Sequence, residues 1–362
     1  MFERTWALSQ AITGHMLRKV SEHLPRHIPV LLTQVVSGLT EGLISDLAQS
    51  KSATFASQPL TVVDCTAGLG GHATELVNAL GLAPESPPLR LILNDFDPAN
   101  LERAAANVAA ARTSGGPAVE VVSIAGNFAA LPGELIRCGV KAHVVLADLG
   151  FASNQMDDAS RGMSFMRDGP LDMRMDPTGP LTVAALLNSA TEHELKRILW
   201  DFGEEQQAGR IARAIVADRA GMNDGRGFAT TQELADLVAR LLPAGFKEMT
   251  GINPATRTFQ ALRIAVNDEL GNLDALLDGV ADGAIAAKSQ VPTWLAAGAR
   301  VGIISFHSLE DRAVKRGFGK IVKAGLATDG KGNVDEADDA ERKVNPRARS
   351  AKLRVLRLAR TK

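Results

Sequence analysis

The chain has 362 residues, 45% of them hydrophobic and 22% charged, and a formal net charge of -1. Those figures fit a soluble globular protein of about two domains and exclude a disordered chain. No apolar run approaches the roughly 18–20 residues of a membrane span, and two cysteines, Cys65 and Cys138, are too few for a disulfide scaffold or a Cys-rich zinc module.

Taken in chain order, residues 1–26 mix apolar and charged positions, Glu3 and Glu22 among them. A secretory or transit peptide needs a different pattern, so a short helical extension and a cytoplasmic protein are expected. From Leu60 a strand–helix rhythm begins. Leu60–Asp64, Leu89–Leu93, Val119–Ile124 and His143–Ala147 are short apolar runs, and helical patterns cover Ala73–Leu80 and Pro98–Ala111. Alternating short strands and helices predict βαβ units in a parallel sheet covered on both faces. Arg300–Ser305 reads as a fifth strand and Lys352–Leu358 as a last one.

Between Pro180 and Leu242 only helical periodicity remains. Thr191 with Glu194, and Thr230 with Glu233, have capping-box spacing. Asn253-Pro254 is expected to open one long helix through Leu277. An all-helical insert therefore interrupts a doubly wound α/β domain. Residues 325–345, rich in Gly, Asp, Glu and Lys, read as a mobile loop. From Arg342 to Lys362 there are nine Lys or Arg and no acid, which leaves 31 bases against 41 acids, or -10, over residues 1–341. Such asymmetry fits either a basic arm that meets a polyanion or an edge strand with solvated bases.

Three segments carry chemistry. Asp64–His72 (DCTAGLGGH) follows the first strand and opens a helix; its glycines allow a sharp turn and close approach to a ligand. Asp95, at the end of the second strand, stands where an acid accepts hydrogen bonds from a ribose diol. No Gly-Lys-Ser/Thr follows the loop, so nucleoside triphosphate hydrolysis is not expected, and an adenosyl ligand without phosphates is favoured. The block Asp148–Asp176 leaves the fourth strand at the end of the sheet where open α/β folds bind ligands. Its density in Asp, Arg, Met and Gly suits a functional loop or an ion-pair network tying the insert to the core.

These strings resemble the ribosomal small-subunit methyltransferase H family, S-adenosylmethionine (SAM)-dependent enzymes that methylate a cytidine N4 in the decoding region of 16S rRNA. The likeness runs through His27–Leu32, Asp64–His72, Asp148–Asp176, Asn253–Asn267, Ser305–Lys315 and Asn345–Val355, and its DGPLDMRMD and FHSLEDR strings are highly specific. Gln34 and Ala152 depart from the family pattern, at positions outside its site.

The resemblance implies a class I SAM-dependent methyltransferase (Rossmann-like) core at 27–153 and 253–362. Residues 154–252 would be a loop plus inserted helical substrate-recognition domain, and 1–26 an N-terminal extension. It implies SAM as cofactor, held by Gly70, Gly71, His72, Asp95, Phe128, Asp148 and Gln155, with Phe128 offering a face to the adenine ring. The implied partner is 16S rRNA within the small ribosomal subunit, with no membrane; the oligomeric state stays open. Asp148, or a neighbouring main-chain carbonyl, is the candidate for orienting the substrate amine. Arg161, Asp168, Asp172 and Arg174 are candidates for reading the cytidine or a phosphate, with ion pairs inside the loop as the competing role. Arg347, Arg349 and Arg354 are candidates for holding RNA. C5 methylation would need a cysteine nucleophile at the mouth, and neither cysteine is placed there. His307 reads as a structural histidine at a strand end. His193-Glu194 lacks a second His because Arg197 stands in its place, so no metal is expected. Two other functions use the same fold: a methyltransferase of another RNA site, a protein or a small molecule, and a non-catalytic ribosome-assembly factor that binds RNA.

Overall fold

The computed structural model describes residues 28–48, 59–82, 86–111, 117–243, 246, 251, 253–289, 291–329 and 334–360. The expected extension 1–26 lies outside them. Helices α1 (Leu32–Thr40) and α2 (Leu43–Ala48) precede the sheet, and α1 turns Val35 and Leu39 inward at the four-residue spacing of one helix face.

Strand β1 (Leu60–Asp64) leads into α3 (Gly71–Gly81), β2 (Leu89–Asp95) into α4 (Pro98–Ala111), and β3 (Val119–Ala125) into α5 (Leu131–Arg137) and β4 (Ala142–Asp148). Every residue of β1 is buried. Unbroken burial is what a parallel strand with helices on both faces requires. Successive side chains nevertheless go to opposite layers: Val62, Leu91 and Val144 join one core, and Val63, Ile92 and Val145 the other.

After β4 come α6 (Ser153–Asp157), α7 (Val183–Ser189), α8 (Glu192–Gly203), α9 (Ala208–Asp218) and α10 (Thr231–Leu241). Both predicted capping boxes form, at Thr191/Glu194 and Thr230/Glu233. The long helix expected from Asn253 to Leu277 is two helices, α11 (Thr256–Asn267) and α12 (Glu269–Ser289). They are separated by Asp268 at φ 49°, in the left-handed region that Asp tolerates better than most residues. Sequence periodicity runs straight through this joint. What breaks the helix is tertiary: the Asn267 amide donates to the Met173 carbonyl and its Oδ1 accepts from the Met175 N–H.

Strand β5 (Leu295–Ser305) is followed by α13 (Ser308–Lys323), the short strands β6 (Ala327–Asp329) and β7 (Asp335–Glu336), helix α14 (Asp339–Val344) and β8 (Lys352–Leu358). The sheet order is β3-β2-β1-β4-β5-β8-β6, with β7 also on β8. Strands β1 to β5 are parallel, and β8 is antiparallel to its neighbours. Two expectations change here. Segment 325–345 carries two strands and a helix where a mobile loop was expected. The basic end of the chain is an interior strand, neither a free arm nor a sheet edge, because β6 and β7 cover its outer side.

A third apolar cluster, from Met163 to Leu262, belongs to the helical insert and takes in Phe259, Ala261 and Leu262 of α11. Helix α11 thus packs with the helical unit, and we propose that the insert, expected to end at 252, extends to Asn267, where α11 ends. No helix among the described residues is long and apolar enough to cross a membrane.

Helix α8 crosses α11 at Gly203, where an added Cβ would lie 2.7 Å from the Arg257 carbonyl oxygen and 3.1 Å from Ala261 Cβ. Gly-to-Ala in a helix gains up to about 1 kcal/mol of propensity, and less at a last turn. Overpacking costs about 1–3 kcal/mol. Gly203→Ala should therefore lower the urea midpoint of unfolding, and an unchanged or raised midpoint would contradict this packing.

Candidate functional site

Because β1 lies between β2 and β4, the carboxyl ends of all three strands open at one place, and each ends in an acid: Asp64, Asp95 and Asp148. Backbone clamps hold the loops that leave them. The Gly68 N–H donates to Asp95 Oδ2 at 2.8 Å, so the glycine loop after β1 is tied to the tip of β2. The Asp148 N–H donates to Thr66 Oγ1 at 2.7 Å, tying the tip of β4 to the same loop. Gly70 has φ 80°, and a Cβ there would lie 2.9 Å from the Ala104 carbonyl oxygen, so both torsion and space call for glycine. At Gly71 a Cβ would meet Pro29 Cγ at 2.5 Å. Residues 28–32 thus supply a strap that packs on the loop.

His72 is buried, and its Nε2 lies 2.8 Å from the Val30 carbonyl oxygen. A carbonyl only accepts, so Nε2 carries the proton. Nδ1 then faces Asp148 Oδ2 at 3.5 Å. Burial, reinforced by the Glu310 carboxylate, pushes the Asp148 carboxyl up to about 7. Burial also pushes His72 below its ordinary value, against the pull of the Val30 carbonyl and the Asp64 carboxylate. The pair therefore favours a neutral acid facing a neutral imidazole. Asp148 Oδ1 is buried and has no hydrogen-bond partner among the described residues. Asp64, which sequence reasoning passed over as a site residue, is buried deepest of the three acids. Burial, countered by His72 and the Thr66 N–H, lifts its carboxyl to about 7. The available signal was its place at a strand end, the same as that of Asp95 and Asp148.

Asp95 also accepts from the Asp97 N–H at 2.9 Å and the Asn100 amide at 3.4 Å, while burial raises its carboxyl above the ordinary range. Both of those bonds fall on Oδ1, so Oδ2, which accepts only from the Gly68 N–H, keeps a lone pair for a further donor. Phe128 is buried among the core residues of one sheet face, beyond the tip of β3. Gln155 is buried on α6, and its Oε1 accepts from the Ala152 N–H at 3.0 Å. Gly70, Gly71, His72, Asp95 and Asp148 are thus brought together, with Phe128 in the turn after β3 and Gln155 on α6. The set suits SAM: a sulfonium cation and ribose hydroxyls call for carboxylates, and Asp148 Oδ1 is an acceptor still unsatisfied. The Asp64–His72 loop has no Lys or Arg with which to hold a phosphate.

The four candidates for reading the cytidine have internal partners. Arg161 donates to Asp97 at 3.1 Å and to the carbonyls of Arg174 and Met175. Asp172 and Arg174 form a two-point pair, both bonds at 2.7 Å, and Arg174 also donates to the Gly179 carbonyl. Asp168 accepts from the N–H groups of Gly169 and Gln232, at the start of α10. The loop is therefore an ion-pair network joining insert and core. Arg354 is likewise committed, donating to Asp311 of α13 at 2.7 Å. Arg347 and Arg349 are exposed.

Beyond Asp148, Arg263 binds Glu269 through two hydrogen bonds of 2.7 and 2.9 Å and lies 4.8 Å over the Phe151 ring. His307 caps α13, its Nδ1 accepting from the Glu310 N–H, while Glu310 Oε2 accepts from the Phe306 N–H. Glu269, His307 and Glu310 each bring a ligand atom within 4.8 Å of the others. Both Glu269 oxygens already accept from Arg263, so the cluster is engaged in its own hydrogen bonds. Cys65 is buried, and burial with the neighbouring Asp64 carboxylate raises its thiol far above the ordinary range. Cys138 is exposed and precedes the amino end of β4, on the far side of the sheet from the mouth.

The raised Asp64 carboxyl makes stability depend on pH. Between about 4 and about 7 the folded state holds a proton that the unfolded state has lost, so this group's contribution falls as pH rises and levels off above about 7. Asp64→Asn keeps an acceptor for the Thr66 N–H and removes the titration. Urea midpoints of the variant should decline less over that window than those of the parent, and parallel declines would refute the assignment.

A family model described as the MraW methylase family matches residues 25–359. A ribosomal RNA small subunit methyltransferase H of Stenotrophomonas maltophilia strain K279a is 38% identical, over 96% of this chain and 97% of the relative. A protein of the same name from Xanthomonas euvesicatoria pv. vesicatoria strain 85-10 is 40% identical, over 91% of this chain and 88% of the relative. With the match running through the strap, the glycine loop and the acid-tipped strands alike, the chain belongs to the MraW methylase family.

Proposed function

We propose that this protein is a SAM-dependent methyltransferase of small-subunit ribosomal RNA, and that its acceptor is the exocyclic N4 of a cytidine in the decoding region of 16S rRNA. Family membership and the names of its relatives support methyl transfer to ribosomal RNA. The observation that carries N4 over C5 is the absence of a usable thiol at the mouth. C5 chemistry adds a cysteine to the ring; Cys65 is buried with its thiol protonated, and Cys138 lies across the sheet. These reactions belong to the cytoplasm, where the ribosomal subunit is the partner.

S-adenosylmethionine, when bound, supplies an electrophilic methyl group on a sulfonium. We assign its binding to Gly70, Gly71, His72, Asp95, Phe128, Asp148 and Gln155. The glycines allow close approach, Asp95 accepts from the ribose diol, Phe128 flanks the adenine, and Gln155 and Asp148 border the methionine end. A cytosine amine is a weak nucleophile because its lone pair is delocalised into the ring. Asp148 accepts one N–H of that amine, which localises the lone pair and holds nitrogen in line with the methyl carbon. Positioning of this kind supplies up to about 7–11 kcal/mol. The methylated amine then releases its proton to water, and the His72 imidazole, 3.5 Å from the Asp148 carboxyl, keeps that carboxyl in place. Among the substrate candidates, Arg347 and Arg349 serve RNA, and Arg161, Asp168, Asp172, Arg174 and Arg354 hold the surface in shape.

Incubation with labelled SAM and small-subunit particles lacking the modification, followed by nucleoside mass spectrometry, should place the label on N4-methylcytidine. Label at cytosine C5 or in protein overturns the proposal. Asp95→Ala should weaken SAM binding roughly 10- to 100-fold, the value of about 1.5–3 kcal/mol for hydrogen bonds to a charged group. Asp148→Asn should lower single-turnover methyl transfer at saturating SAM more than it weakens SAM binding. Equal losses in both would remove Asp148 from the chemical step.

A further inference from the structure

With Arg354 of the basic tail held by Asp311, we infer that RNA backbone docks along the exposed face of α13, from Arg312 to Lys323, as a strand that leads into the site. The inference rests on the rRNA reading above and names the surface that reading lacks. Helix α13 starts at the mouth: β5 ends beside Asp148 in the sheet register, and His307 caps the helix two residues beyond Ser305. At 100° per residue, Arg312, Lys315, Arg316, Lys320 and Lys323 fall within an arc of about 140° and span about 16 Å of helix. All five are exposed, while Glu310, Ala313, Val314, Phe318 and Ile321 are buried on the opposite side.

No acid lies within that arc. Glu310 is on the buried side, and Asp311 is paired to Arg354 at 2.7 Å. Arg312 meets Glu204 of the insert at 2.9 Å, and Ser308 donates to the same carboxylate, so the mouth end of the stripe is fastened to the helical unit. Lys315, Arg316, Lys320 and Lys323 have no ion pair or hydrogen-bonding side-chain partner among the described residues. Helix α12, packed alongside, exposes Asp274, Asp278 and Asp282, and no ion pair joins that row to the stripe among the described residues. An acidic row beside a basic one repels a polyanion from one side and so confines it to a track. Lys352 pairs with Ser305 in the sheet, which puts the start of β8, preceded by exposed Arg347 and Arg349, at the mouth end of α13 as well. On a body whose first 341 residues sum to 31 bases against 41 acids, a local run of five bases without an acid is where a phosphate chain is drawn.

The experiment measures binding of the full-length protein to a decoding-region fragment of 16S rRNA from about 50 to 300 mM salt. The triple variant Lys315→Gln/Arg316→Gln/Lys320→Gln should bind at least about 10-fold more weakly near 150 mM. Its salt dependence should be shallower by about 2, given roughly 0.7–0.9 per lost phosphate contact. The charge-keeping triple Lys315→Arg/Arg316→Lys/Lys320→Arg should bind as the parent does, and SAM affinity should be unchanged in both. A Gln variant with parental affinity and slope overturns the α13 track while the parent's methylation of rRNA still stands. A charge-keeping variant that binds as poorly as the Gln variant also overturns it, since charge would not then be the cause. If the parent itself neither binds nor labels rRNA, the functional reading fails first and the track with it.

Discussion

Placing β1 between β2 and β4 forces three carboxyl groups to the same end of one sheet, and the rest of the site answers to that constraint. Burial disfavours the ionised form of each, and neighbouring like charge adds a smaller push. Asp64 and Asp148 are pushed up to about 7, while Asp95 is partly relieved by the N–H groups of Gly68 and Asp97. The same hydrogen bonds that relieve the charge also shape the loops. The Gly68 N–H is held by Asp95 and the Thr66 N–H by Asp64, so the electrostatic problem and the geometry of the ligand loop have one solution. A cationic sulfonium entering such a space is met by groups already short of positive charge.

Around this centre the charged residues divide by burial. Arg161, Asp172, Arg174, Arg263, Glu269 and Glu310 are partly or wholly withdrawn from water and each has a partner at hydrogen-bonding distance. A buried pair lends little net stability, but losing one partner leaves the other uncompensated, so these residues fix how the insert meets the core. Lys315, Arg316, Lys320 and Lys323 of α13, by contrast, have no ion-pair partner among the described residues. A polyanion sees the second group and is indifferent to the first.

The inserted unit is joined to the sheet by a few polar anchors as well as by packing. Asn267 bonds both Met173 and Met175. Glu204 reaches Ser308 and Arg312. These anchors come from segments about a hundred residues apart, and they converge at the mouth. The mouth of the site is thus assembled by the same contacts that seat the insert.

The amino-acid sequence by itself determined the alternation of strands and helices, both capping boxes, the glycine loop, and Asp95 and Asp148 as strand-end acids. Each of these is written in local spacing: apolar period, cap residue, turn residue. The family likeness added Phe128 and Gln155, which no local pattern singles out. Tertiary structure alone decided four matters. It broke the helix at Asp268, because Asn267 bonds a loop 94 residues away. It made β8 an interior strand, because β6 and β7 cover its outer side. It turned Arg161 of the mouth loop inward, because its partner Asp97 comes from another segment. It brought Asp64 and His72 to Asp148, since a strand's neighbours in a sheet are set by long-range pairing and not by anything within the strand's own residues.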